Sequence, residues 1–318
     1  TGEVVDKILH LDFNSVTEGE KLYNIRSEIT RKNDTVTLAL NPSEVIINSF
    51  QWDVPANNLI RVAPNFVAFE DFRLSRENQS MEITDDRAGV EKEHIAMTFS
   101  NFDLQSFLGY FNPHEPLAAG NLEGSLTIEN PFGSKGLVAD VDINNFVVLE
   151  VPMGVLKMDA EALSARDYEF DLAIKEGKVD LDLTGGFTAA ADGAQWYTEL
   201  DLNKVEMEII EAFSFGEIKD SEGSFSGNID LSGTFVDPEY TGQLHFQDAR
   251  FTVSKLDAPF MIRDETLTVD TEAMYFEDFI IEDSEENNFN VNGEMLTATP
   301  LNPEFDLAFS AEDFMLLS

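Results

Sequence analysis

The chain has 318 residues, 43% of them hydrophobic and 26 of them Phe, so it can bury a large apolar surface, which argues against global disorder. Its 61 acidic residues against 20 basic ones give a net charge of −41. That leaves no basic surface on which to neutralise nucleic-acid phosphates, and it disfavours lying flat on an anionic membrane. The absence of cysteine excludes disulfides, thiolate metal ligands and thiol catalysis.

No apolar run reaches the length of a membrane-spanning helix, and the opening TGEVVDKILH has neither a basic region nor an apolar core of the kind a signal peptide needs. The chain reads as an internal piece of a longer protein. Its acidic excess is expected on a solvated outer face that keeps an apolar-rich β-protein soluble and blocks edge-to-edge association.

Residues 1 to 42 contain LHLDFNS, YNIRSEIT and TVTLALN, each apolar at alternate positions, which predicts strands with one buried face. The next stretch, from Ser43, is read as strand, turn, strand around Asn57 and Asn58. Residues 85 to 92 are a polar loop, and HIAMTFSNFDL resumes the alternation with Ile95, Met97 and Phe99.

Within DLQSFLGYF, Leu104, Phe107, Leu108 and Phe111 recur at helical spacing, and Asp103 is placed to cap the helix. A polar connector then leads to Gly120 and Gly124, which open a strand. The same plan returns in residues 206 to 235, with Met207, Ile210 and Phe213 in the helical segment and Gly223 and Gly227 standing 103 residues after the first glycine pair. It begins a third time in SAEDFMLLS. The chain is thereby divided into sections 1–100, 101–205 and 206–309, with a truncated third copy at 310–318. Mid-strand glycines (Gly124, Gly227, Gly233, Gly293) suit curvature or close backbone approach, and TGG at Thr184–Gly186 is read as a turn.

From Gly120 onward nearly every segment is apolar on one side and acidic or polar on the other. The inward positions are Leu126, Ile128, Val141, Ile143, Phe170, Leu172 and Leu181, then Ile229, Leu231, Phe246, Val291, Leu307 and Phe309. One-sided antiparallel strands need apolar cover, and the helix candidates are too short to supply it. Two solutions stay open: a sandwich that closes on itself, or a long curled sheet whose concave side is a trough for acyl chains.

The four histidines stand at no metal-ligand spacing and are read as ordinary surface or strand residues. DSEENNFNVNGE, from Asp283 to Glu294, has acidic residues at some positions of a Ca²⁺ loop. Asn288 stands where that loop needs glycine, so a polar turn entering a strand is preferred. No nucleophile elbow, P-loop or dinucleotide fingerprint is present, and no catalytic site, metal or cofactor is expected.

The segments NFDLQSFLGYF leading to GNLEGSLTI, NIDLSGTFVDPEYTGQL (Asn228–Leu244) and VNGEMLTATPLNPEFDLAF together resemble the periplasmic β-rich region of the TamB family. That family is the inner component of the translocation and assembly module, related to AsmA-like and bridge-like lipid-transfer proteins. The resemblance covers roughly residues 45 to 318. It implies an all-β, mainly antiparallel fold with a few short helices, an elongated curled sheet (a β-taco) with a hydrophobic groove, and no enzymatic activity. It also implies a place in the periplasm of a diderm bacterium, with an inner-membrane anchor outside these residues. The implied ligand is phospholipid, moved between the inner and outer membranes, and the implied partner of the full-length chain is a TamA-like outer-membrane barrel of the BamA type. The alternative role is a scaffold for outer-membrane barrel assembly, and a plain extracellular β-repeat is a third reading.

Overall fold

The structure, a computed structural model, describes residues 1–17, 19–108, 117–133, 136–190, 193–234, 236–296 and 304–315. Strands make up 73% of the chain and helices 3%, so it is all-β, and its large antiparallel sheets do not close into a barrel. The chain forms two compact units, Thr1–Glu150 with Lys157–Ala165, and Val151–Leu156 with Arg166–Ser318.

In the first unit, β1 (Gly2–Val5), β2 (Ile8–Thr17), β3 (Glu20–Lys32), β4 (Thr35–Leu40), β5 (Val45–Ile47), β6 (Phe50–Trp52), β7 (Leu59–Ala63) and β8 (Phe66–Glu70) make one sheet. Its order is β1-β2-β3-β4-β7-β8, with β5 pairing β3 and β6. The strands β9 (Phe72–Arg76), β10 (Gln79–Thr84), β11 (His94–Asp103), β12 (Ala118–Glu129) and β13 (Gly136–Val148) pair consecutively. The residues of β14 (Val151–Ala162) are shared between the two units. The second unit holds β15 (Asp167–Lys175), β16 (Val179–Thr188), β17 (Gln195–Glu206), β18 (Ile218–Thr234), β19 (Pro238–Val253), β20 (Ala258–Asp270), β21 (Ala273–Glu282), β22 (Asn288–Leu296) and β23 (Glu304–Ala311), again in consecutive antiparallel order.

A short helix is found in both segments whose apolar spacing predicts one. The first, α1, covers Gln105–Leu108, with the Gln105 N–H donating to the Asp103 carboxylate at 3.0 Å, and Phe111 lies outside the described residues. The second, α2, covers Met207–Phe213 and buries Met207 and Ile209, not the Met207, Ile210 and Phe213 stripe expected; Phe213 is 37% exposed. So short a helix is held by its packing on the sheet and not by its own propensity. Thr184–Gly186 is not a turn, since all three residues lie inside β16. The two glycines are needed there because a Cβ at Gly185 would collide with the Tyr197 carbonyl and one at Gly186 with the Tyr168 carbonyl.

The first unit closes as a sandwich. Val45, Trp52 and Val54 from the β1–β8 side meet Met81, Phe99 and Phe102 in one buried cluster, with Leu40, Ile47, Leu122 and Leu126 packed against it. Trp52 stacks on Phe102 with ring centroids 5.6 Å apart. Asn58, at the expected turn, is 2% exposed and clips the layer to β4, accepting from the Leu40 N–H at 2.7 Å and donating to the Leu40 carbonyl at 2.9 Å. The polar loop at 85–92 is also tied down. Arg87 bonds Ser125 and Thr127 through its guanidinium, and its backbone N–H donates to His94 Nε2 at 2.8 Å, so His94 is a buried strand residue and not a surface one.

The sequence repeat is a repeat of strand register. Phe99 pairs Gly124 and Phe102 pairs Leu122 across a bulge, and 103 residues later Leu202 pairs Gly227 and Val205 pairs Phe225 across another. On the next strand Leu122 pairs Ile143 and Gly124 pairs Val141, matched by Phe225 with Phe246 and Gly227 with Leu244. Gly124 (φ +113°) and Gly227 each pass so close to the neighbouring strand that a Cβ would strike the carbonyls of Asp140 and Gln243 respectively. Urea denaturation should therefore show Phe102→Ala destabilised by about 3–5 kcal/mol through loss of a buried ring. Gly227→Ala should lose about 1–3 kcal/mol through backbone overpacking. A Phe102→Ala change under 1 kcal/mol would mean that the cluster is not a packed core.

Candidate functional site, the apolar face of the second unit

Among the described residues the second unit contains one sheet only, and register makes its two faces unlike. One transverse row runs Leu172, Leu183, Leu200, Ile229, Gly242, Val269, Met274, Met295, Phe305, each paired with the next from β15 to β23. The adjoining row, one residue along each strand and so on the other face, runs Ala173, Asp182, Asp201, Asn228, Gln243, Thr268, Tyr275, Glu294, Asp306. Nine strands at about 4.8 Å per spacing make the apolar row about 38 Å long. A second row on the apolar face runs Ile174, Leu181, Leu202, Gly227, Leu244, Leu267.

The thirteen sequence-derived positions fall into two groups. Phe170, Leu172, Leu181, Ile229, Leu231, Phe246, Val291, Leu307 and Phe309 share the apolar face of the second unit, where most are half-buried, Val291 is 4% exposed and Phe309 59%. Leu126, Ile128, Val141 and Ile143 belong to the first unit. There Leu126 packs against the closed core and Val141 is 6% exposed, while Ile128 is 40% exposed beside Ile95 and Leu137. Sequence alone did not single out Leu200, Leu202, Met274 or Phe279 as inward positions. The alternation in QWYTELDLNKV was signal enough for the first two.

Curvature brings side chains on non-adjacent strands into contact. The Phe246 ring on β19 meets Phe279 on β21 edge-on at 6.0 Å, with β20 between them. The segment after β23 folds back in the same way. Phe314 stacks on Phe260 of β20 at 5.8 Å and lies 5.1 Å from Phe289 of β22, and the Met315 N–H donates to Asp283 Oδ2 at 2.8 Å. Asp283 is 5% exposed. Desolvation pushes its carboxyl up, but the N–H groups of Met315, Asn287 and Glu285 and the Asn287 side-chain amide outweigh it and hold the pKa down at about 2. Asp283–Asn287 is thus a polar turn entering β22, and among the described residues no group of side chains is placed to hold a metal ion.

On the opposite face Lys175 bridges Asp180 at 2.6 Å and Asp182 at 2.7 Å, and Asn203 donates to both carboxylates. These exposed ions keep the outer side wetted and contribute little to stability. Compared with known proteins, the chain matches no family model, no curated protein and no solved structure.

The depressed pKa of Asp283 gives a signed pH dependence. Stabilisation of the Phe314 strap is complete above the ordinary carboxyl value of 3.8 and is lost as pH falls through about 2. Fluorescence of a Phe314→Trp variant is expected to shift to the red over that window. Adding Asp283→Ala should give the released signal at every pH, and an unchanged signal in the double variant would show that the carboxylate does not hold the strap.

Proposed function

We propose that the chain is a segment of a TamB-like, periplasm-spanning protein. The apolar face of its second unit carries phospholipid acyl chains between inner and outer membranes in support of outer-membrane biogenesis. The observation that supports this most is the nine-strand apolar row backed by a polar row on the other face of one sheet. A row about 38 Å long exceeds the roughly 15 Å depth of one leaflet of a 30 Å hydrocarbon core, so chains can lie along it at successive positions. Each methylene moved out of water contributes about 0.8 kcal/mol, so ten of them contribute about 8 kcal/mol towards offsetting extraction from a bilayer. Headgroups stay in water, and the segment needs no cofactor and no covalent step. In the full-length protein an inner-membrane anchor and a TamA-like barrel of the BamA type complete the route.

A second reading rests on β23, which among the described residues pairs with β22 alone and exposes Phe305 by 61% and Phe309 by 59%. Such an edge suits β-augmentation by nascent strands of outer-membrane barrels, which is the scaffold role.

Phospholipid is expected to co-purify with the protein in mass spectrometry, and photocrosslinkers at Leu200 or Ile229 should capture it in cells. Ile229→Asp together with Met274→Asp should lower lipid recovery at least tenfold while the sheet stays folded. If those crosslinkers capture no lipid and crosslinkers along the β23 edge capture barrel-protein strands, the scaffold reading replaces this one.

A further inference from the structure

Among the described residues a carboxylate stands on the apolar face without a counter-ion. Glu265 on β20 is paired with Phe246, two positions before Leu267, so it points to the same side as the apolar rows. Cross-strand pairing between β20 and β21 holds at Met261–Glu282 and again at Thr268–Tyr275, and between those points the Glu265 carboxylate accepts the backbone N–H of Ile280. The ring of Phe246, its cross-strand partner, meets Phe279 of β21 across β20.

The charged groups nearby belong elsewhere. On its own strand Arg263 is tied to Glu282 at 2.6 Å and Glu286 at 3.0 Å, and Asp264 faces His245 of β19 at 3.2 Å on the outer side. β21 adds Glu277, Asp278 and Glu282, all acidic. No ion pair forms with Glu265 among the described residues.

We propose that Glu265 takes up a proton when an apolar ligand covers this face, so that occupancy of the face is coupled to pH. The inference rests on the acyl-chain reading above and adds a control to it. A ligand lying across Phe246 and Phe279 removes the water that still reaches the carboxylate. With no cation at hand, the charge is disfavoured and the neutral acid is retained. Desolvation already holds this carboxyl above its ordinary value of 4.5, against the lowering effect of the Ile280 N–H and with a smaller push from Asp264.

The sign follows by linkage. Ligand raises the pKa, so affinity climbs as pH falls through the liganded pKa, levels off below the free-protein pKa, and is flat and weak above both. A carboxylate is thus placed where a bare ionic group gives way to a neutral one only under an apolar load.

The test uses the chain with N-phenyl-1-naphthylamine, a neutral apolar dye, titrated from pH 8 to pH 4.5. Affinity is expected to rise as pH falls, by about tenfold for each unit by which the dye raises the carboxyl pKa. Glu265→Gln, which keeps an acceptor for Ile280, should bind as tightly as the low-pH protein with no pH dependence. Calorimetry in two buffers of different ionisation enthalpy should read proton uptake in the parent and none in the variant. Dye binding that is independent of pH, or a slope that survives in Glu265→Gln, overturns the coupling and leaves the acyl-chain reading standing. Absence of dye binding at every pH overturns both.

Discussion

The constraint on which the rest depends is the period of two in an antiparallel strand. Once Leu200 pairs Ile229, every second residue on either side is committed to the same face, and across nine strands the commitment becomes a surface. A sheet made this way has one side that water accepts and one that it does not. The first unit answers by laying β4–β6 and the Trp52 side chain over the apolar side. The second unit has no second sheet among its described residues, and its cover comes from α2, from curvature that joins Phe246 to Phe279, and from the returning Phe314. The same 103-residue register therefore builds a sandwich in one place and a half-covered face in the other. What differs is the chain that precedes each copy.

Bulges let a long strand keep its apolar residues inward while it bends. At the bulges of Asn101, Asn145 and Asp278 the backbone takes a positive φ, and each is followed by Phe. A short polar side chain tolerates that left-handed conformation, and the extra residue returns the following ring to the inner side, which is why Phe99 with Phe102, and Phe276 with Phe279, share a face at a spacing of three. A spacing of three inside an apolar segment reads as helical in a sequence, yet here it marks a turn of the sheet.

That explains what was legible and what was not. Strand positions, the repeat and the one-sidedness followed from alternation at Leu126, Leu172, Ile229 and Leu307, because side-chain direction in a strand is a local property. Which alternation ends in a closed core is a matter of partners far away in sequence. Nothing in Leu126 announces Trp52, and nothing in Ile229 announces the lack of such a partner. Thr184–Gly186 was misread because glycine pairs serve both turns and close strand contacts, and only the carbonyls of Tyr168 and Tyr197 decide between them. Glu265 was hidden because burial along β20 changes phase at Arg263–Asp264, from Phe260 and Ile262 to Glu265 and Leu267, so alternation counted forward from Phe260 places it with the outer carboxylates.

The charge takes its meaning from the same geometry. Most described Lys and Arg side chains, such as Lys175, Lys219 and Arg263, are held by outer-face or turn carboxylates, so the surplus of −41 is spread over the side that faces water. Two copies that tried to bury their apolar faces together, or to pair along β23, would first have to bring those charges within a screening length of each other, about 8 Å at physiological salt. The repulsion falls on protein–protein association and would spare an uncharged chain of methylenes. An acidic exterior and an apolar interior side are then parts of one arrangement: the first keeps the second from being satisfied by another copy of itself, which the proposed acyl-chain role requires.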